Sequence, residues 1–216
     1  MTNEEVFTKI YQTNSWGINK KDKDGFYSGP GSYGSHAKQY VTLINDFIIT
    51  HNITSLTDIG CGDFAIGSQI TMQNPSLQYK GCDVVKFLVE KNREKFGSER
   101  IKFYHLDAAT EPLPNADLLT IREVLQHLSN NSITQILQKT KKFRYVIITE
   151  RLFKDEYVKK YNKDKPAGPD VRLLNSSGVY IDKPPFNIPC NEILCCRVDV
   201  FGKEAYFKSF LIKNNN

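Results

Sequence analysis

The stretch Asp58-Ile59-Gly60-Cys61-Gly62-Asp63 closes a short apolar run and sets two glycines between carboxylates. Glycines at that spacing allow a tight turn and let a ligand lie directly against the backbone. A second run ends Gly81-Cys82-Asp83-Val84, which puts the Asp83 carboxylate 21 residues after Gly62. That is where a ribose-binding acid belongs in a nucleotide-type cofactor site. Farther along, His127 lies six residues past Ile121, beyond the end of another apolar run. An ordinary imidazole is largely neutral at pH 7 and can take a proton from a hydroxyl. Glu123, four residues earlier, would share a helical face with His127 and orient it. The same positions also suit a histidine that merely caps its helix and a glutamate paired with Arg122. Arg122 follows its run directly and is placed to hold a ligand carboxylate or to form a surface ion pair.

Two cofactor classes share such a turn. Gly60-x-Gly62-x-x-Ala65 formally fits the dinucleotide fingerprint. Its charges do not: a pyrophosphate would lie beside Asp58 and Asp63, and each repulsion at ~4 Å is worth about 4 kcal/mol at a dielectric near ~20. S-adenosylmethionine has no phosphate, and its ammonium and sulfonium are positive, so acids here favour it over NAD.

The elements that must hold these residues alternate. A helical face at Val6, Phe7, Ile10 and Tyr11 precedes a Gly-, Ser- and Lys-rich loop over 14–33, and a helix follows through Tyr40, Val41, Ile44, Phe47 and Ile48. Strands are expected at 56–59, 77–84, 101–106, 118–121 and 145–149, with helices to about Met72, over 85–96, and through Ile133, Ile136 and Leu137. This alternation predicts βαβ units and a doubly wound, Rossmann-like α/β sheet, mostly parallel, with helices on both faces. Residues 165–189 are proline-rich and loop-like. Runs at 192–200 and 205–212 flank Phe201-Gly202-Lys203-Glu204 and predict a C-terminal antiparallel hairpin.

At these residues the sequence resembles the class I S-adenosylmethionine-dependent methyltransferases. Asp58-Ile59-Gly60-Cys61-Gly62 is similar to the first motif of that family, over a likeness spanning roughly residues 4–212. The resemblance implies a seven-stranded sheet, ribose hydroxyls held by Asp83 beside Val84, and an adenine contacted by Asp107 and Ala108. It also implies that the loop Ser28-Gly29-Pro30-Gly31-Ser32 closes over the methionine end, with Trp16. Ser28 to Ser32, Gly62-Asp63, Arg122 to Leu128 and Pro184-Pro185-Phe186-Asn187-Ile188-Pro189 further resemble small bacterial methyltransferases that occur with surface-glycan, including capsule, biosynthesis.

The expectation is one domain over 1–216, with a helix and cofactor-covering loop in 1–35 and an acceptor-side insertion in 165–190 carrying Arg172, Asn175 and Tyr180. Asp58, Gly60, Cys61, Gly62, Asp83, Val84, Asp107, Ala108, Arg122, Trp16, Ser28, Gly29 and Ser32 are expected at S-adenosylmethionine, with S-adenosylhomocysteine as product. His127 and Glu123 are expected at the chemistry. The acceptor expected is a small polar molecule, anionic or nucleotide-linked, methylated on oxygen.

Composition bounds the alternatives. The net charge of +5 is spread along the chain, and aromatics do not interleave with the basic stretches Lys20-Lys21-Asp22-Lys23 and Lys139 to Arg144, which argues against nucleic acid as partner. An RNA methyltransferase and a non-catalytic cofactor-binding protein are the remaining readings. Five cysteines without regular spacing and four histidines argue against a disulfide framework or a metal site. His105, within a strand, is expected to be packed, and His36 and His51 to bracket a helix. No apolar run reaches the ~20 residues of a membrane span and no basic-then-apolar leader opens the chain, so the reading is a cytoplasmic protein.

Overall fold

The computed structural model describes residues 1–19 and 26–214. The basic stretch Lys20–Lys23 and the last two asparagines of the tail lie outside the described residues. Helices α1 (Asn3–Gln12) and α2 (Ser35–Thr50) precede an alternation of β1 (Ser55–Ile59), α3 (Ala65–Gln73), β2 (Gln78–Asp83), α4 (Lys86–Phe96), β3 (Ile101–His105), β4 (Leu118–Arg122), α5 (Asn130–Lys139) and β5 (Tyr145–Phe153). The hairpin strands β6 (Asn191–Val200) and β7 (Lys203–Lys213) complete one seven-stranded sheet in the order β3-β2-β1-β4-β5-β7-β6. Strands β1 to β5 are parallel, and β7 runs antiparallel between β5 and β6.

Burial on both sheet faces explains the near-continuous apolar strands. Leu118 and Ile147 pack with Ile44, Phe47 and Ile70 on one face, while their neighbours Leu119, Ile121, Val146 and Ile148 pack with Leu88, Ile133 and Ile136 on the other. Winding reverses between β1 and β4, which opens a crevice at their carboxyl ends where such sheets bind ligands.

The expected elements are present, and three details differ. β5 continues to Phe153, four residues beyond the predicted end, because β7 pairs with it along its whole length. The hairpin turn is two residues, Phe201 and Gly202, both with positive φ (55° and 70°), the geometry that matches the twist of the flanking strands. His105 is not packed: its ring is a third exposed, 3.1 Å from Glu4 and bonded to Val84 O. Among the described residues no helix is long and apolar enough to cross a membrane, and no group of side chains is set to hold a metal ion.

Candidate functional site

The crevice is a cavity of about 230 Å³, and every residue expected at S-adenosylmethionine, with His127 and Glu123, lines it. Its floor is the turn after β1. Gly60 and Gly62 have φ of 69° and 55°, conformations that favour glycine. Asp83, at the end of β2, accepts Gly62 N–H at 3.0 Å through Oδ2 and Val85 N–H at 3.0 Å through Oδ1. Burial pushes its carboxyl up to about 6 against those two bonds. Asp58 is also buried and raised, with Tyr79 and Thr120 hydroxyls donating to it at 2.6 and 2.8 Å.

Asp63 sits at the start of α3. Its Oδ1 accepts Ala65 N–H at 3.1 Å, at the start of α3, and its Oδ2 accepts Ser28 N–H at 3.1 Å and the Tyr33 hydroxyl at 3.0 Å. A helix start already holding a carboxylate leaves no welcome for a pyrophosphate. The arrangement instead fits a cationic group: Asp58, Asp63, Asp83 and Asp107 all line the cavity.

The loop over 28–32 lies directly on the glycine turn. A Cβ at Gly62 would stand 2.3 Å from Ser28 Oγ, which accepts Asp63 N–H at 2.7 Å and shares a 2.8 Å hydrogen bond with the Tyr11 hydroxyl. At its other end Gly31 O accepts Arg122 Nη2 at 2.6 Å and faces His36 Nε2 at 3.1 Å. After β3, Asp107 accepts Asn3 Nδ2 at 3.0 Å and Ala109 N–H at 2.8 Å, so α1 is tied across that end. Trp16 reaches the opposite wall, with its indole N–H 3.2 Å from Pro169 O and its ring 5.0 Å from the His127 ring.

His127 is buried at the end of a short turn, Leu125–His127. Its Nδ1 faces Gly168 O at 3.2 Å. A carbonyl only accepts, so Nδ1 carries the proton and Nε2 keeps the lone pair. Burial first, and the Lys165 ammonium second, push the ring down to about 4.

The expected helical pairing of Glu123 with His127 is absent. The chain after β4 forms no α-helix before Asn130, only a 3-10 turn at Leu125–His127: Glu123 has φ 59° and its N–H still bonds Thr149 O of β5. Glu123 binds Arg151 Nη2 at 2.6 Å and Gln126 Nε2 at 3.0 Å instead. The acceptor-side insertion reaches the cavity through Pro169 and Val171. Arg172 and Tyr180 point into the interior, where the Tyr180 hydroxyl donates to Phe153 O, and Asn175 is exposed. Sequence reasoning missed Asn3, Tyr40, Gln126 and Arg151 as cavity residues. Arg151 had a signal, since it lies two residues beyond Thr149, the register partner of Arg122, and so on the same edge.

Residues 57–143 match the family model of a methyltransferase domain. No curated protein matches the sequence. Among solved structures, the fold is similar to N-methyltransferase NodS from Bradyrhizobium japonicum WM9 bound to S-adenosyl-L-homocysteine, at 12% identity, all of both chains and a TM-score of 0.59. It is also similar to human N-acetylserotonin methyltransferase in complex with SAM, at 13% identity and a TM-score of 0.52, covering all of this chain and 61% of that one. The methyltransferase domain of a bacterial Hen1 matches 82% of this chain and 99% of its own at 15% identity, with a TM-score of 0.55. The chain thus spans about three fifths of the human enzyme's length. The family-model match covers 87 of the 216 residues, and the structural neighbours share the fold.

Proposed function

We propose that this S-adenosylmethionine-dependent methyltransferase methylates an oxygen of a small polar acceptor bearing an anionic group, such as a sugar phosphate or a nucleotide-linked precursor of a surface glycan, in the cytoplasm and as a single domain. The observation that carries the reading is the division of one cavity. Four carboxylates line the turn side, while His127, Arg122 and Arg151 line the side at the ends of β4 and β5.

S-adenosylmethionine supplies an activated methyl group, so the protein has mainly to align the acceptor and remove its proton. On this reading Asp83 accepts the ribose hydroxyls, Val84, Asp107 and Ala108 hold the adenine, and Asp58, Gly60, Cys61 and Gly62 form the floor. Ser28, Gly29 and Ser32 cover the methionine end. The loop, held at Ser28 and Gly31, keeps water out. His127 Nε2 would take the acceptor's hydroxyl proton as the methyl group passes from sulfur to oxygen, leaving S-adenosylhomocysteine. Glu123 acts by holding Arg151. Arg122 and Arg151 lie against the Phe207 ring at 5.8 and 4.7 Å and exceed the single Glu123 carboxylate in charge, which favours an acceptor with a phosphate or carboxylate.

The test is transfer of a labelled methyl group to a panel of sugar phosphates and nucleotide sugars, with neutral sugars, amines and RNA alongside. The reading expects an O-methyl product from an anionic acceptor. Labelling of RNA or of an amine alone would replace it.

A further inference from the structure

Two buried ionisable side chains have no part in that scheme. Glu150 of β5 and Arg172, in the segment between β5 and β6, are each 1% exposed. Charges so far from water are costly unless hydrogen-bonded, so their partners indicate what they are kept for. Glu150 Oε1 accepts Leu125 N–H at 2.9 Å. Arg172 Nη2 donates to Leu128 O at 2.6 Å, and its Nη1 donates to Lys163 O at 2.6 Å. These bonds fall on the first N–H and just past the last residue of the turn Leu125–His127, which is too short to satisfy its own ends. Between them, Gly168 N–H donates to His127 O at 3.0 Å.

We propose that Glu150 and Arg172 are positioning residues that clamp residues 125–128 from both ends and thereby set the direction in which the His127 ring faces the cavity. The functional meaning rests on the base role given to His127; the clamp itself does not. Burial and the nearby Glu123 carboxylate raise the Glu150 carboxyl well above its ordinary range, while the Arg172 guanidinium opposes this. Glutamine matches Glu150 in shape and keeps an acceptor oxygen for Leu125 N–H. What the turn needs at 150 is an acceptor oxygen at the right reach, not a charge. Leucine supplies bulk without the oxygen, and aspartate supplies the charge one methylene short.

The experiment is long-range nitrogen–proton correlation of the histidine rings in the free full-length chain, with the His127 signals identified by their loss in His127→Asn. Wild type and Glu150→Gln are expected to show a single Nδ1–H tautomer. Glu150→Leu and Arg172→Met are expected to show tautomers in exchange. A single tautomer kept in both overturns the proposal. Should Glu150→Leu not fold, Glu150→Asp against Glu150→Gln decides: aspartate is expected to lose the signature, and aspartate keeping it while glutamine loses it overturns the clamp. Because no turnover is needed, the base role is judged separately, by methyl transfer in His127→Ala.

Discussion

His127 and Gly168 hold each other twice. The imidazole Nδ1 meets Gly168 O at 3.2 Å, and Gly168 N–H returns to His127 O at 3.0 Å, across 41 residues of sequence. The pair fixes the neutral tautomer and ties the proline-rich segment to the end of β4. With its pKa pushed down to about 4, the ring is unprotonated throughout the neutral range.

Replacing this ring should therefore affect turnover rather than cofactor binding. His127→Ala is expected to cut methyl transfer by ~100-fold or more while leaving the dissociation constant of S-adenosylhomocysteine nearly unchanged. Steady-state rates with calorimetry on the same preparations check both halves.

Burial of a neutral histidine also links stability to pH. The folded pKa, about 4, lies below the unfolded value near 6.5, so the folded state binds fewer protons. The contribution is present above pH 6.5 and is lost as pH falls from there through 4, by about 3 kcal/mol in all. Urea unfolding of wild type and His127→Gln should show wild type losing about 2 kcal/mol more between pH 7 and pH 5.

Asp83 moves oppositely. Its folded pKa, about 6, lies above the ordinary carboxylate value, and on the proposed reading ribose hydroxyls donating to it would favour its charged form. Cofactor affinity should hold above pH 6 and weaken about tenfold per unit below it. A dissociation constant for S-adenosylhomocysteine that stays flat from pH 8 to 5 would remove Asp83 from the ribose site.

At Gly62 a methyl group would both strain a φ of 55° and press on Ser28 Oγ. Gly62→Ala should lift the covering loop and weaken cofactor binding about tenfold, against a strain of about 1 kcal/mol in the turn itself. Amide exchange at Ser28 and Asp63 should quicken in the same variant.

Much of the site was legible because its positions follow strand ends. Gly60, Gly62 and Asp83 sit where apolar runs stop, and a parallel sheet carries those stops to one edge. The error at Glu123 has a local cause. Nothing in Arg122-Glu123-Val124-Leu125-Gln126-His127-Leu128 marks a left-handed residue, and Glu123 and His127 stand at helical spacing, while pairing with Thr149 and Arg151 decides the conformation. Long-range partners were hidden for the same reason. Asn3 on Asp107, Trp16 on Pro169 and Arg172 on Leu128 join segments that no periodicity connects. The inward turn of Arg172 is legible only once the turn at 125–128 is seen to lack partners.

Calorimetric titration of the purified chain with S-adenosylhomocysteine, with NADH in parallel, tests the central claim most directly. The account predicts micromolar binding of S-adenosylhomocysteine, abolished in Asp83→Ala, and no heat from NADH. Binding of NADH with silence from S-adenosylhomocysteine would contradict it, because the carboxylates around Gly60 and Gly62 would then be tolerating the phosphates they are argued to repel.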